Sequence, residues 1–190
     1  MSRYASLSQL KEFVQIVDTV DDSVMEVALS AAEDQIDEWC RRRFDQAHAE
    51  DTTERFYDVG GVYLLPIDDV VEVTAVEVRR IRGGDYSTVD QFELGPPNAA
   101  ADGKPSTELE TAQILRGRVK VVGRFGWPAI PDQVVQATLL QASRLAQRRN
   151  AQFGIATVPG LDGSGMRLLS KLDADVELLL APLRRRPVLV

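Results

Sequence analysis

The sequence predicts an α+β fold: a helical core of about four helices, two near each end of the chain, around a central antiparallel β insertion. Three observations predict it. Apolar residues recur at helical spacing up to Phe44. From Glu54 they alternate instead, with glycine pairs punctuating the run. After Pro131 the helical period returns. A chain of 190 residues is long enough for one domain with a full core. The expected layout is one domain over 1–190, with its helical core at 1–50 and 128–183, the insertion at 52–127 and a tail at 184–190.

The first helix opens at Ser6-Leu7-Ser8-Gln9, where Ser6 can accept from the third amide while Gln9 reaches back. Leu10, Phe13, Val14 and Val17 supply its apolar spacing, and Asp18 to Asp22 reads as a polar break. A second capping box, Ser23 with Glu26, predicts the next helix start. Val24, Met25, Ala28, Leu29, Ala32, Ile36, Trp39 and Cys40 fall on one half of its wheel, and Glu26, Glu33, Asp34, Asp37 and Glu38 on the other. Such a helix is roughly 30 Å long. Arg41-Arg42-Arg43 suits its negative end.

In the insertion, 54–57 and 62–65 flank Gly60-Gly61, which reads as a hairpin turn. Along 71–78 the apolar parity slips between Ala75 and Val76, which requires a bulge or a break. Gly83-Gly84 closes that segment, and 95–106 has no period and reads as a mobile loop. Residues 113–115 and 118–122 read as strands on either side of Gly117. The third helix is expected from Pro131 to Arg149, with Val134, Val135, Leu139, Ala142, Leu145 and Ala146 on one arc and Leu140 among polar residues opposite. A glycine-rich link, 154–165, precedes a short helix from Asp173 that carries Val176, Leu179, Leu180 and Leu183 and is limited by Pro182.

Composition narrows the function classes. Hydrophobic residues make up 44% and charged residues 27%, as in ordinary globular proteins. A net charge of −7 disfavours a protein that wraps nucleic acid over its whole surface. One cysteine excludes an intrachain disulfide and leads us to expect intracellular synthesis. No apolar run approaches the ~20 residues of a membrane span, and Met1 to Ser6 lacks the apolar segment of a signal peptide. The expectation is a soluble, acidic protein made in the cytosol.

No catalytic constellation is visible. His48 and Cys40, the lone histidine and cysteine, cannot build a zinc site or a nucleophile pair. The carboxylates of the second helix read as its wet face rather than a metal site. Gly160 to Gly165 lacks the Lys-Ser/Thr ending of a phosphate loop. We therefore expect no enzyme activity, cofactor or metal. Contacts between chains account better for what remains. Leu140 is either a lone exposed leucine or an oligomer contact. The ending Arg184-Arg185-Arg186-Pro187-Val188-Leu189-Val190 is either a disordered end or a peptide that orders on a partner.

Four places in the sequence carry a resemblance: 4–11; Ala32, Ile36, Cys40, Arg43 and Phe44; Gly126-Trp127-Pro128 with Pro131, Val134, Ala137 and 144–154; and 172–176 with 179–183. In that order, across nearly the full length, they resemble the bacteriophage head–tail connector (head-to-tail adaptor) family, in the form common in phages of actinobacteria. The family's minimal members are almost wholly helical, so the β insertion departs from their pattern.

The resemblance implies a virion neck protein, made in the host cytoplasm, that forms a ring of identical subunits, twelve in number. The ring would join the portal above to a stopper or tail protein below and continue the DNA channel for genome packaging and ejection. It also implies portal docking by the C-terminal end, here Leu183, Arg184, Arg185, Arg186, Val188 and Leu189. For the contact between subunits, the opposite signs of two regions suggest Glu33 and Asp37 of the second helix against Arg144, Arg148 and Arg149 of the third, with Leu140 beside them. An acidic wall would let passing DNA slide. The alternatives are another neck component, such as a stopper or tail-completion protein, or a DNA-binding accessory protein, which the acidic balance disfavours.

Overall fold

The computed structural model describes residues 3–48, 50–148, 155–156, 166–167 and 172–185. They fall into two compact units, one formed by Met1–Phe44 with Pro131–Pro187 and the other by Asp45–Ile130.

The first unit is helical. Helix α1 spans Leu7–Val14 and opens with the capping box formed by Ser6 and Gln9. Its end is a Schellman turn: Gln15 takes the left-handed conformation, and Gln15 and Ile16 donate to Glu12 and Lys11. Because the helix stops there, Val17 lies outside it and is exposed, as Phe13 is in part; Leu10 is the buried residue of this helix. Helix α2 spans Asp22–Cys40 and is capped by Asp21 without a side-chain bond, so the Ser23–Glu26 capping box does not form. It ends in a second Schellman turn on left-handed Arg41. Helix α3, Asp132–Arg148, starts directly after Pro131, whose carbonyl accepts from Val134 and Val135.

Met25, Leu29 and Ala32 of α2, Leu10 of α1 and Ala142 of α3 form the core of this unit, flanked by Val135, Leu139 and Leu145. Burying each large side chain contributes about 1.5–3 kcal/mol. Helix α4, Ala174–Leu180, is capped by the Asp173 side chain and passes into a 3₁₀ turn at Ala181–Leu183 that contains Pro182. Val176, Leu180 and Leu183 are buried. Two-residue strands β5 (Ile155–Ala156) and β6 (Met166–Arg167) pair antiparallel. The rest of the expected glycine-rich link lies outside the described residues.

The second unit is a four-stranded antiparallel sheet in the order β2–β1–β4–β3, formed by Thr52–Arg79 (β1), Ser87–Thr88 (β2), Phe92–Gly95 (β3) and Ser106–Phe125 (β4). Strand β1 is 28 residues long and runs through Gly60-Gly61, where the register shifts instead of turning back. The expected hairpin is therefore a bulge. Strand β4 likewise continues through Gly117. The parity slip near Ala75 is a bulge as well, between Val73 and Ala75.

Residues 118–124 of β4 are paired on both edges, with 52–58 on one side and 72–79 on the other. Val70 partners both Ser106 and Phe125, the two ends of β4, so the sheet curls tightly on itself. Inside lie Leu65, Ile67, Val70, Val76, Val78, Val89, Leu109, Leu115, Val119 and Val121. The segment expected as a loop after Gly95 is tied by turns: Ala99 donates to Pro96, Asp102 to Asn98 and Lys104 to Ala99. Trp127 is buried, with its indole N–H donating to Asp69 Oδ2 at 3.0 Å. Among the described residues, no helix is long and apolar enough to cross a membrane.

Candidate assembly surfaces

The acidic side of α2 divides into a covered part and a wet part. Glu33 is 2% exposed, and its Oε1 accepts the amides of Arg3 and Tyr4 at 2.7 and 2.8 Å. Arg3 also reaches Asp37 Oδ2 at 2.8 Å and Asp34 Oδ1 at 3.1 Å. The Tyr4 hydroxyl donates to Asp37 Oδ1 at 2.6 Å and accepts the Phe44 amide at 2.9 Å. Burial pushes the Asp37 carboxyl above its usual value, against the pull of Tyr4 and Arg3. Burial, together with Asp37 as acceptor, raises the Tyr4 phenol well above its ordinary range. Glu33 thus belongs to a buried clasp on the N-terminal segment and not to the wet face, where Glu26, Asp34 and Glu38 lie exposed.

The residues expected at the C-terminal end begin on the same unit. Leu183 is buried, and its carbonyl accepts from Arg42 Nη1 at 3.1 Å. Arg184 lies over the Trp39 ring at 4.9 Å, and the Arg185 amide donates to the Cys40 carbonyl at 2.9 Å. Arg186, Val188 and Leu189 lie outside the described residues. On α3, Leu140 is half-buried and Arg144 pairs with Asp173. Arg148 is the last residue of α3, and its side chain and Arg149 lie outside the described residues. Gln141, fully buried, has no advance signal in the sequence. Its amide donates to Gln35 at 2.7 Å and accepts the Asp173 amide at 3.2 Å, tying α3 to α2 and to the cap of α4.

The outer face of the β unit carries a charge ladder. Arg118 forks onto Asp58 with two bonds of 2.8 Å. Lys120 meets Glu77 at 2.7 Å and Arg124 meets Glu72 at 2.8 Å; Arg55, whose Cα partner is the buried Val121, meets Asp68 at 2.7 Å from the other face. The Arg118 bond holds Asp58 below its usual value, and Glu77 raises Lys120. A basic row so neutralised is no strip for phosphate.

Two places break this matching. Arg79 is the Cα partner of Arg118, and Glu93 is the partner of Glu110. Around the first lies an open groove of ≈ 620 Å³ lined by Asp58, Val59, Arg79, Arg80, Arg82, Gly117 and Arg118. Around the second lies one of ≈ 520 Å³, with Asp90, Glu93 and Glu110 in its wall. The run Arg79-Arg80-Ile81-Arg82 is visible in the sequence, but the like-charge pairings emerge only from the register. Among the described residues, no cluster of three His, Cys, Asp or Glu could hold a metal ion.

The sequence matches no protein-family model and no curated protein. Solved structures do share its architecture. A chain from the neck of an empty gene transfer agent (GTA) particle, computed with C6 symmetry, is 20% identical. The match covers 96% of this chain and 90% of that one, with a TM-score of 0.55. Chains from the neck of the native particle, computed with C12 symmetry, and from the native virion match over the same shares at a TM-score of 0.54 and 20% identity. The chain therefore shares its fold with these chains of GTA particles.

Proposed function

We propose that this chain is a structural head-to-tail adaptor of a tailed bacteriophage or related particle. A ring of identical subunits, twelve in number, would join the portal to the stopper or tail and continue the DNA channel, without catalysis. The observation that carries this reading is the fold match over 96% of the chain to a neck component of a particle computed with C12 symmetry. Its mixed architecture, with helices at both ends of the chain and a curled sheet between, favours the adaptor over a mainly β stopper or tail-completion protein.

Portal docking falls to the chain end beyond Leu183. Subunit contact falls to exposed charge and to Leu140; Glu33 is already occupied within its own unit. Electron microscopy of the protein mixed with its portal tests the reading. A ring stacked coaxially on the portal is the expected result, and a monomer that ignores the portal overturns it.

A further inference from the structure

The β unit carries two clefts of opposite net sign, one rich in arginine with Asp58 as its carboxylate and one lined by carboxylates. Elsewhere in the sheet, facing charges are matched: Asp58 faces Arg118, Glu77 faces Lys120 and Glu72 faces Arg124. Like charges directly opposite on neighbouring strands are destabilising. Glu93 opposite Glu110 is therefore a cost that the isolated chain leaves standing, whereas Asp58 offsets part of the cost of Arg79 opposite Arg118. Asp58 engages Arg118, while Arg79 turns to the Tyr86 ring, 5.0 Å from its centroid. Arg80 and Arg82 are exposed and make no ion pair among the described residues; the same holds for Glu93 and Glu110.

Both clefts are concave, of similar volume, and built on one sheet. We propose that they are the two complementary faces of a head-to-tail contact, with the arginine cleft of one copy receiving the carboxylate cleft of the next. A heterologous contact needs two different faces on every subunit, and opposite charge supplies the complementarity. Arginine suits the task because its planar fork takes carboxylates in pairs. The proposal rests on the ring reading above and assigns its contact to the β unit.

Two variants test it: Arg80→Glu with Arg82→Glu, and Glu93→Arg with Glu110→Arg. All four side chains are exposed, and circular dichroism and urea unfolding check that both variants fold. Sedimentation velocity at low salt reads self-association. The wild type should associate, and each variant alone should associate at least about tenfold more weakly. An equimolar mixture of the two should recover, because the intact faces match and the two reversed faces match each other.

Wild-type association by either variant, a mixture that fails to recover, or a wild type that stays monomeric at low salt each overturns the proposal. So does duplex DNA binding that is lost with the arginines while association persists, which would make the arginine cleft a phosphate site. Rings that form on the portal with either variant as they do with the wild type would overturn the clefts and leave the neck reading standing.

Discussion

At the scale of single residues, the N-terminal clasp sets the largest stakes. Glu33 is a buried carboxylate whose Oε1 accepts two backbone amides, and hydrogen bonds to a carboxylate contribute about 1.5–3 kcal/mol each. Replacing Glu33 with Ala should cost about 2–4 kcal/mol in urea unfolding. It should also speed hydrogen exchange at the Arg3 and Tyr4 amides; unchanged exchange there would mean that something else holds the segment. Asp37 behaves differently. Burial raises it above the usual 3.8, so the folded chain keeps its proton more readily than the unfolded one. The contribution of such an acid to stability falls as pH rises from the unfolded value through the folded one. Measured against Asp37→Asn, the wild type should therefore lose stability as pH climbs above 3.8. A difference that grew with pH would show that Arg3 and Tyr4 outweigh burial.

At the scale of elements, legibility mostly followed how local the cause was; the Ser23–Glu26 box, equally local, fails because α2 already starts at Asp22. The Ser6–Gln9 box, the Asp173 cap and the start of α3 after Pro131 each depend on residues within one turn, and each was readable. The fate of Gly60-Gly61 was not. A glycine pair between alternating runs signals a turn, but β4 is long enough to hold β1 on both edges, and pairing over that length turns the glycines into a bulge. Glu33 was misplaced for a similar reason: the helical wheel assigns it to the wet side, and a distant segment covers it. The register that sets Arg79 against Arg118 is equally non-local. Gly117 shows what the long strands demand. Its φ is +102°, and a Cβ there would lie 2.3 Å from the Arg79 carbonyl oxygen. Gly117→Ala should therefore destabilise the β unit by roughly 2–4 kcal/mol. Gly60, with nothing within 4 Å of a built Cβ, should accept Ala within about 0.5 kcal/mol. Equal effects at the two sites in thermal or urea unfolding would refute this account of the strand crossing.

At the scale of the whole molecule, the question is where the folded chain ends and a docking segment begins. The sequence places that border after Leu183, but the contacts place it later. Arg184 stacks on Trp39, and the Arg185 amide closes on the Cys40 carbonyl, beside the Arg42 bond to Leu183. Cutting at 184 would remove packing from the end of α2 and confuse folding with docking. Cutting after Arg185 separates the two. A chain lacking residues 186–190 should unfold within about 0.5 kcal/mol of the full chain, since it loses none of these contacts. It should nevertheless fail to bind the portal if Arg186, Val188 and Leu189 anchor there. Co-sedimentation with the portal ring, run beside urea unfolding of the same sample, reads both quantities. Full portal binding by the shortened chain would remove the tail from the docking surface and leave the exposed faces of the two units to carry the contact.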